Sequence, residues 1–285
     1  MVKSAASVAA SSSTSYYALG STDAEHERLI RQAARLAPLT ERLFREAGIG
    51  AGQRVLDLGS GVGDVAILAA RLVGPSGEVV GVERDARSIA RARARVTEAR
   101  LHNVTFTESD VSEVASDEPF DAAVGRLILM YLPDPVAVLR SLYQSVRPGG
   151  IVAFHEPSWA SCLALTAHLP LWYACASLIR ETFQRSGVNT EVGVELYRMF
   201  QEAGLPAPNM RMEMPLGDDP EWIYGVLCSL RPRIEQLNLP LQTLGGFDTL
   251  PDRLRAEVVT SNTVASWMVI VAAWCHKARD GAITI

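Results

Sequence analysis

The sequence lacks the features by which several classes of protein are recognised. Its formal net charge is −5 and it contains no run of Lys or Arg, which argues against the positive face that contacts with phosphates require, although a local basic pocket stays open. It also has no uninterrupted stretch of about 20 apolar residues, which a membrane-spanning helix would need. The most apolar window, residues 159–180, contains several polar residues and predicts a buried helix or a lid. We therefore expect neither a nucleic-acid partner nor a membrane partner.

Cysteine is also scarce. The cysteines form no C-x-x-C pair, and no His lies at zinc-ligand spacing from two of them; they are Cys162, Cys175, Cys228 and Cys275. This pattern predicts free, buried thiols in a reducing cytoplasm, and no metal site.

The first 15 residues lack the continuous leucine-rich segment of a signal peptide, and their Ser- and Ala-rich composition predicts a disordered tail.

Short apolar runs alternate with helical segments through the first half of the chain. The predicted strands are residues 54–58, 78–83, 104–108, 120–125 and 150–155, and the predicted helices between them are residues 63–72, 85–100 and 134–146. Strands that alternate with helices form a parallel sheet with right-handed crossovers and helices on both faces. The sequence therefore predicts a doubly wound α/β fold.

The pattern changes on either side of this core. Residues 22–48 carry a helical apolar stripe, which Pro38 is expected to divide into two helices. After Pro157, the predicted helices are residues 159–185, 191–203 and 219–238, the last broken by Pro232, and the predicted strands are residues 210–214 and 267–275. We interpret the inserted helical segments, about residues 158–190 and 217–262, as a helical cap over the active site.

The stretch VLDLGSGVGD joins the first predicted strand to the helix after it. In open α/β sheets, ligands bind beyond the carboxyl ends of the strands, where this loop lies. Gly59, Gly61 and Gly63 would let a ligand approach the backbone, and the next helix offers free N–H groups and the positive end of its dipole. Asp57, at the end of the strand, suits a ligand that carries an ammonium group better than it suits a pyrophosphate.

A dinucleotide is the alternative ligand for this loop. The dinucleotide pattern G-x-G-x-x-G fails when it is counted from Gly59, because its last position falls on Asp64. Counted from Gly61, the last position falls on Ala66, which is a permitted variant. A dinucleotide is therefore disfavoured but stays open as an alternative.

Two acidic residues follow the next two strands. Glu83 ends the second strand, and its carboxylate can accept from two vicinal ribose hydroxyls, each bond contributing about 1.5–3 kcal/mol. Asp110 follows the third strand and can accept from an exocyclic adenine amine, while the Val111 amide can reach a ring nitrogen. Taken separately, Glu83 and Asp110 are also typical of a solvated acid and a helix cap.

Together and in this order, these motifs resemble the class I S-adenosylmethionine-dependent methyltransferase family. The segments that carry the resemblance are VLDLGSGVGD, the acid in VGVERD, ESDV, FDAAVGRLILMYLPDP and RPGGIVAFHEP, within residues 17–157. The resemblance implies S-adenosylmethionine as cofactor and a Rossmann-like, seven-stranded, mostly parallel sheet whose last strand is antiparallel. It also places Arg84, next to Glu83, in the cofactor site.

The leading segment YALGSTDAEHERLIRQ is similar to that of a small-molecule branch of the family, which implies that Tyr17 and Gln32 border the methionine end of the cofactor. On this basis we divide the chain into three parts. These are the tail (1–15), the N-terminal helices with the cofactor-binding core (16–157), and the rest of the sheet with the inserted cap (158–285).

Methyl transfer is an in-line displacement that needs a nucleophile held close to the methyl carbon, exclusion of water and, for some acceptors, a base. The candidates for these roles follow the fourth and fifth strands. Arg126 is expected either to bind a carboxylate, such as that of the cofactor, or to form an ion pair with Asp57 or Glu156. His155 and Glu156 are adjacent, so only one of them points into the pocket. Either is a candidate base, and the alternative is a packed His with a solvated Glu.

Aromatic residues after the fourth strand and in the cap are predicted to line an apolar acceptor pocket, although this spacing is also typical of a helix core. They are Tyr131, Trp159, Trp172, Tyr173 and Trp222. The predicted function is methylation of a small, partly apolar metabolite at O, N or C. The alternatives are a cofactor-binding protein of the same fold that catalyses a non-methylating reaction, and a non-catalytic ligand-binding module.

Overall fold

The computed structural model describes residues 19–114, 118–217 and 219–279 of the 285-residue chain. Two predictions, the N-terminal tail and the cofactor contact of Tyr17, lie outside the described residues. Among the described helices, none is long and apolar enough to cross a membrane.

The strands of the described residues form one large sheet and one short pair. They are β1 (Arg54–Leu58), β2 (Glu78–Glu83), β3 (Val104–Glu108), β4 (Phe120–Arg126), β5 (Val146–Ser158), β6 (Asn209–Glu213), the short pair β7 (Leu216–Gly217) and β8 (Ala265–Ser266), and β9 (Val269–His276). Seven of them form one sheet in the order β3-β2-β1-β4-β5-β9-β6, and β7 pairs with β8 separately. In the large sheet β1 to β5 are parallel and β9 is antiparallel to both of its neighbours.

This topology confirms the predicted doubly wound, seven-stranded, mostly parallel sheet. The observed bounds of β1, β2 and β3 are the predicted ones, while β5 is longer than predicted at both ends. Its carboxyl end extends because β9, which lies more than a hundred residues away in the sequence, pairs with it as far as Ser158. Its amino end begins at Val146, which pairs with Phe120 of β4. The strand β9 is apolar along nearly its whole length because it is buried between two strands and two layers of helices.

Helices cover both faces of the sheet. They are α1 (Asp23–Ala47), α2 (Asp64–Val73), α3 (Ala86–Glu98), α4 (Pro135–Ser145), α5 (Trp159–Thr166), α6 (Pro170–Arg185), α7 (Val192–Glu202), α8 (Glu221–Gln236) and α9 (Leu250–Thr260). One core contains apolar residues of α1, α2 and α3, and the other contains those of α4, α7 and the cap. The sheet therefore has helices packed on both faces. Asp85 caps α3, as the sequence predicts, and its carboxylate accepts from the Ser88 N–H at 2.7 Å.

Proline does not divide the helices that contain it, which corrects two predictions. Pro38 lies inside α1 and Pro232 lies inside α8. A proline in a helix interior costs about 3 kcal/mol. Leu36 precedes Pro38 and Ile234 follows Pro232, and both are fully buried. Burial of apolar side chains close to each proline offsets that cost.

The segment predicted as one helix over residues 159–185 consists of two, α5 and α6. The break lies at Pro170, which begins α6. The carboxylate of Glu257 in α9 accepts from the backbone N–H groups of Leu171 at 2.8 Å and Trp172 at 3.0 Å. This acid from a distant segment satisfies donors at the start of α6, whose first residue is Pro170. The helices α5, α6, α8 and α9 pack against one another and form the predicted cap.

Candidate active site

A cavity of about 630 Å³ opens at the carboxyl ends of β1 to β4, beneath the cap. Its first half, which we call the cofactor half, is lined mainly by polar residues of α1 and of the loops after β1, β2 and β3. Its second half, which we call the apolar chamber, is lined by residues after β4 and from the cap. The apolar chamber comprises Ile128, Met130, Tyr131, Leu132, Trp159, Phe183, Trp222, Val226 and Met268.

The three loop glycines have different structural roles. All three have positive φ, at 65°, 51° and 83°. A Cβ on Gly59 would lie 2.6 Å from Ile128 Cδ1, and one on Gly63 would lie 3.1 Å from Ala92 Cβ, whereas one on Gly61 would meet nothing within 4 Å. Gly59 and Gly61 line the cavity, and Gly63 does not. Gly63 therefore permits packing against α3, which corrects its prediction as a cofactor contact.

Glu83 lies at the centre of the cofactor half. Its Oε2 accepts from the Gly61 N–H at 3.0 Å, and its Oε1 accepts from the N–H groups of Arg84 at 2.8 Å and Asp85 at 2.9 Å. Glu83 and Arg84 both line the cavity. The carboxylate thus holds the glycine loop in place at the same position where the sequence predicts a ribose contact.

Asp110 and Val111 line the cavity beyond the end of β3. The carboxylate of Asp110 accepts from the Ser112 hydroxyl at 2.6 Å and from the Ser112 N–H at 2.9 Å. These hydrogen bonds lower the pKa of Asp110, so the group carries a full negative charge at neutral pH. Asp110 is a cap and a cavity-lining acid at once, and its contact with adenine stays a prediction.

Asp57 lies underneath the loop. It is 1% exposed and does not line the cavity, which corrects its prediction as a direct cofactor contact. Burial raises the pKa of Asp57 to about 8, against the lowering effect of the Arg126 charge and of the Ala66 amide. Neither of its carboxylate oxygens has a well-formed hydrogen bond among the described residues. Asp57 is therefore a buried acid beneath the floor of the site.

Arg126 reaches the cavity from the end of β4. Its Nη1 donates to Thr40 Oγ1 at 3.2 Å, and it forms no ion pair with Asp57 or Glu156 within the part of the chain that the structure describes. Burial lowers the pKa of Arg126, while the charges of Asp64 and Asp57 raise it. Of the two expectations for Arg126, the geometry disfavours the ordering ion pair and leaves carboxylate binding as a prediction.

His155 does not contact the cavity, and this corrects its prediction as a base that touches substrate. The side chain is fully buried, and its Nδ1 lies 3.2 Å from Thr40 Oγ1. Burial, together with the positive charge of Arg126, lowers the pKa of His155 to about 3. The imidazole is therefore neutral at physiological pH and belongs to a buried polar layer below the site.

Glu156 is also fully buried and absent from the cavity lining, so the prediction of a solvated or substrate-binding acid is wrong. Its Oε1 accepts from the N–H groups of Ile128 and Leu129, both at 2.9 Å. Burial raises the pKa of Glu156 to about 7, against these hydrogen bonds. Glu156 thus holds in place the turn that carries Ile128, Met130 and Tyr131 into the apolar chamber.

The predicted acceptor residues divide into two groups. Tyr131, Trp159 and Trp222 line the apolar chamber. Trp172 is buried behind Trp222 and donates from Nε1 to the Leu254 carbonyl at 3.2 Å. Tyr173 is 43% exposed on the outer surface of the cap. The predictions that Trp172 and Tyr173 contact substrate are therefore corrected: consecutive residues of α6 point to the core and to solvent.

Helix α1 lines the cavity with more residues than the predicted Gln32. His26, Arg28 and Leu29 also line the cofactor half, together with the predicted Gln32. Arg28 is buried and paired with Glu25, and its Nη1 donates to the Gln32 carbonyl at 2.7 Å. These residues recur at spacings of three and four along α1, so the helical period could have identified this face.

The chain that forms this site matches the model of a known protein family. The model of the family described as "Methyltransferase domain" matches residues 49–204, more than half of the chain. The chain belongs to this family of methyltransferase domains. The matched region contains the glycine loop, Glu83, Asp110 and the strands that carry them.

Two relatives with named activities are similar to parts of this methyltransferase. An arsenite methyltransferase of Halobacterium salinarum is 34% identical over 111 residues, which are 39% of this chain and only 28% of that protein. A demethylmenaquinone methyltransferase of Staphylococcus aureus is 27% identical over 176 residues, covering 58% of this chain and 72% of that protein. A candidate methyltransferase of Bacillus halodurans has the same fold, with a TM-score of 0.58 at 18% identity, over 83% of this chain and 97% of the other.

The cofactor of this methyltransferase is S-adenosylmethionine, as the sequence predicts, and the residues present suit it. Gly61 leaves open space beside its backbone, and Glu83 and Asp110 line the same half of the cavity. Among the described residues, no group of three or more His, Cys, Asp or Glu could hold a metal ion.

Proposed function

We propose that this methyltransferase acts on a small, largely apolar molecule bound in the apolar chamber. The observation that carries the proposal is the continuity of one cavity between the cofactor half and the apolar chamber. A pocket of this size, lined by apolar and aromatic side chains with a few polar groups at one end, suits a small organic ligand. Residues of the cap form part of its wall, which disfavours a macromolecular acceptor.

In this proposal the cofactor half holds S-adenosylmethionine. Glu83 would bind the ribose hydroxyls, Asp110 and the Val111 amide the adenine, and Gly59 and Gly61 the chain that bears the sulfonium. The cofactor supplies an electrophilic methyl group. Arg126 and Gln32, which also line the cavity, are the polar groups available for the amino-acid end.

The chain's own contribution to the reaction is to orient the acceptor and to exclude water. Tyr131 is the one titratable side chain among the described residues of the apolar chamber. Neither His155 nor Glu156 lines the cavity, so neither can take a proton from an acceptor directly. We infer that the acceptor presents its own nucleophile, either as an acidic hydroxyl or carbon acid that ionises readily or as a neutral amine.

The name of one relative offers arsenite as an alternative acceptor, but the chamber does not suit it. Thiolates are the ligands that soft metal and metalloid ions prefer. None of the four cysteines lines the cavity. Burial raises the pKa of the Cys162 thiol to about 11 and those of Cys175 and Cys275 to about 12, with nearby charges adding smaller effects at Cys175. We therefore expect no methylation of arsenite.

The proposal is tested by incubating the full chain with S-adenosylmethionine labelled in its methyl group and a panel of acceptors. The panel contains apolar phenols, enols, amines, arsenite, transfer RNA and a denatured protein mixture. Label should pass to one or more of the apolar small molecules, with S-adenosylhomocysteine formed in equal amount. Transfer only to RNA or protein would overturn the proposal, and so would tight cofactor binding without transfer to any acceptor.

A further inference from the structure

Three indole N–H donors in and beside the apolar chamber have no hydrogen-bond partner among the described residues. They belong to Trp159, Trp222 and Trp267. The three side chains are almost fully buried, with exposed fractions of 2%, 8% and 3%. Trp172, in the same cluster, differs because its N–H donates to the Leu254 carbonyl at 3.2 Å.

The unpartnered donors are grouped rather than scattered. The ring centroid of Trp222 lies 6.3 Å from that of Trp159 and 5.0 Å from that of Trp267. Trp159 and Trp222 line the cavity, while Trp267 packs behind Trp222. A buried donor without a partner costs about 1–3 kcal/mol, and native proteins contain few of them. A pair of such donors on the wall of a ligand cavity therefore points to a polar atom of the ligand.

We propose that the apolar chamber is specific for a neutral, flat acceptor that carries a hydrogen-bond-accepting oxygen, such as a ketone or phenolic oxygen, bound by the indole N–H groups of Trp222 and Trp159. This inference rests on the proposed function, because it specifies the acceptor class of the same site. Both indole N–H groups are buried in the described structure, so binding requires each ring to turn its N–H towards the cavity that the residue lines. Trp267 supports the ring of Trp222 from behind.

The charge of the chamber decides between an oxygen-bearing acceptor and an ammonium. Aromatic side chains also attract cations. An ammonium has only donors, however, and would leave both indole N–H groups unpaired. The described residues of the apolar chamber include no Asp or Glu that would neutralise an ammonium. The unpartnered donors and the lack of a carboxylate therefore both favour a neutral oxygen.

Binding of three matched probes tests the inference without the cofactor. The probes are 1-indanone, indane and 1-aminoindane, which share one ring skeleton. The first carries a carbonyl oxygen, the second carries no polar group, and the third carries an ammonium. Equilibrium dialysis against the full-length protein gives a Kd for each probe. The wild-type protein should bind 1-indanone more tightly than 1-aminoindane.

The conservative variants Trp222→Phe and Trp159→Phe keep an aromatic ring but remove the N–H. A hydrogen bond contributes about 0.5–1.5 kcal/mol net, so each variant should lower the preference for 1-indanone over indane by about 2- to 10-fold. Trp172→Phe is the matched control, since its N–H is already bonded to Leu254, and it should leave this preference unchanged. Because the preference is a ratio of two Kd values measured on the same variant, a general loss of stability affects both values and cancels.

Two results would overturn the inference: an unchanged preference in both Trp222→Phe and Trp159→Phe, or tighter binding of 1-aminoindane than of 1-indanone by the wild-type protein. These outcomes are distinct from failure of the proposed function. If the protein transfers methyl groups but the preference for 1-indanone over indane is unchanged in the variants, only the specificity claim is wrong. If the preference changes but no methyl group is transferred, only the proposed reaction is wrong.

Discussion

The carboxylate of Glu83 accepts a hydrogen bond of 3.0 Å from the backbone N–H of Gly61. This contact joins the end of β2 to the glycine loop after β1, so one acid both positions the loop and faces the cavity. The two functions can be separated because only one of them requires a bound cofactor.

Replacing Glu83 by Ala should weaken binding of S-adenosylhomocysteine by about ten- to a hundredfold, because it would remove the proposed charge-assisted bonds to the ribose as well as the observed support of Gly61. Isothermal titration calorimetry measures the change. Glu108→Ala is the matched control, since Glu108 pairs with Glu83 across the neighbouring strand but does not line the cavity. Equal affinity in the wild-type protein and Glu83→Ala would show that the ribose binds elsewhere.

Glu156 is expected to act as a positioning residue for the turn at Ile128 and Leu129. In Glu156→Ala the two N–H groups lose their acceptor, which should lower the free energy of unfolding by about 1–3 kcal/mol and raise the KM of the acceptor more than it lowers kcat. Glu156→Gln keeps an acceptor oxygen and should restore most of the KM. Loss of activity in Glu156→Gln equal to that in Glu156→Ala would indicate that the charge itself is required.

Asp57 should make stability depend on pH in a defined direction. Its pKa is raised from the ordinary value of 3.8 to about 8 in the folded chain. Between these values the folded state holds a proton that the unfolded state has released, so stability falls as pH rises, by up to about 1.4 kcal/mol per pH unit. Urea unfolding at pH 5, 6 and 7 should show a smaller decline for Asp57→Asn than for the wild-type protein.

The exposed Asp252 provides the control for this measurement, and Asp252→Asn should follow the wild-type curve. Glu156 contributes a decline of the same sign, because its folded pKa of about 7 lies above its ordinary value of 4.5. Some dependence on pH should therefore persist in Asp57→Asn. A decline of unchanged steepness would mean that Asp57 is ionised in the folded protein.

His155 should not shape the pH dependence of the reaction. Its pKa of about 3 keeps the imidazole neutral throughout the range in which a methyltransferase would be assayed. The profile of kcat/KM between pH 5.5 and 8 should keep its form in His155→Gln, even where its height changes through Thr40. A limb near pH 6.5 that is present in the wild-type protein and absent from the variant would restore His155 as a base.

Trp222 and Tyr173 provide a test of which cap aromatics contact the acceptor. Trp222→Ala removes a wall of the apolar chamber and should raise the acceptor KM by at least about tenfold, from the loss of one buried aromatic side chain. Binding of S-adenosylhomocysteine should stay within about twofold. Tyr173→Ala, on the outer surface, should change neither quantity. An equal effect of both substitutions on KM would mean that Trp222 acts only through the stability of the cap.

Much of the cofactor half was predictable because its signals are local. The alternation of apolar runs predicted β1, β2 and β3 with their observed bounds. Topology then requires that the residues after these strands meet at one edge of the sheet. Glu83 and Asp110 line the cavity for this reason, and no knowledge of side-chain packing was needed to place them there.

The apolar chamber and the buried polar layer below the cavity were harder to predict, because burial at one position depends on segments far away in the chain. His155 and Glu156 lie below the cavity because α1 supplies Thr40 and the turn after β4 supplies two N–H groups. Similarly, Trp172 lies behind Trp222, although the sequence predicted that both would contact the substrate.

By itself, the sequence determined the order of strands and helices, the glycine loop and the acids that follow β2 and β3, since periodicity and chain connectivity encode these features directly. Only the tertiary structure decided which polar side chains reach the cavity, whether a helix continues through its proline, and which indole donors have no partner among the described residues. Those outcomes depend on packing between residues separated by many positions, and the free energy of that packing is absent from any single segment.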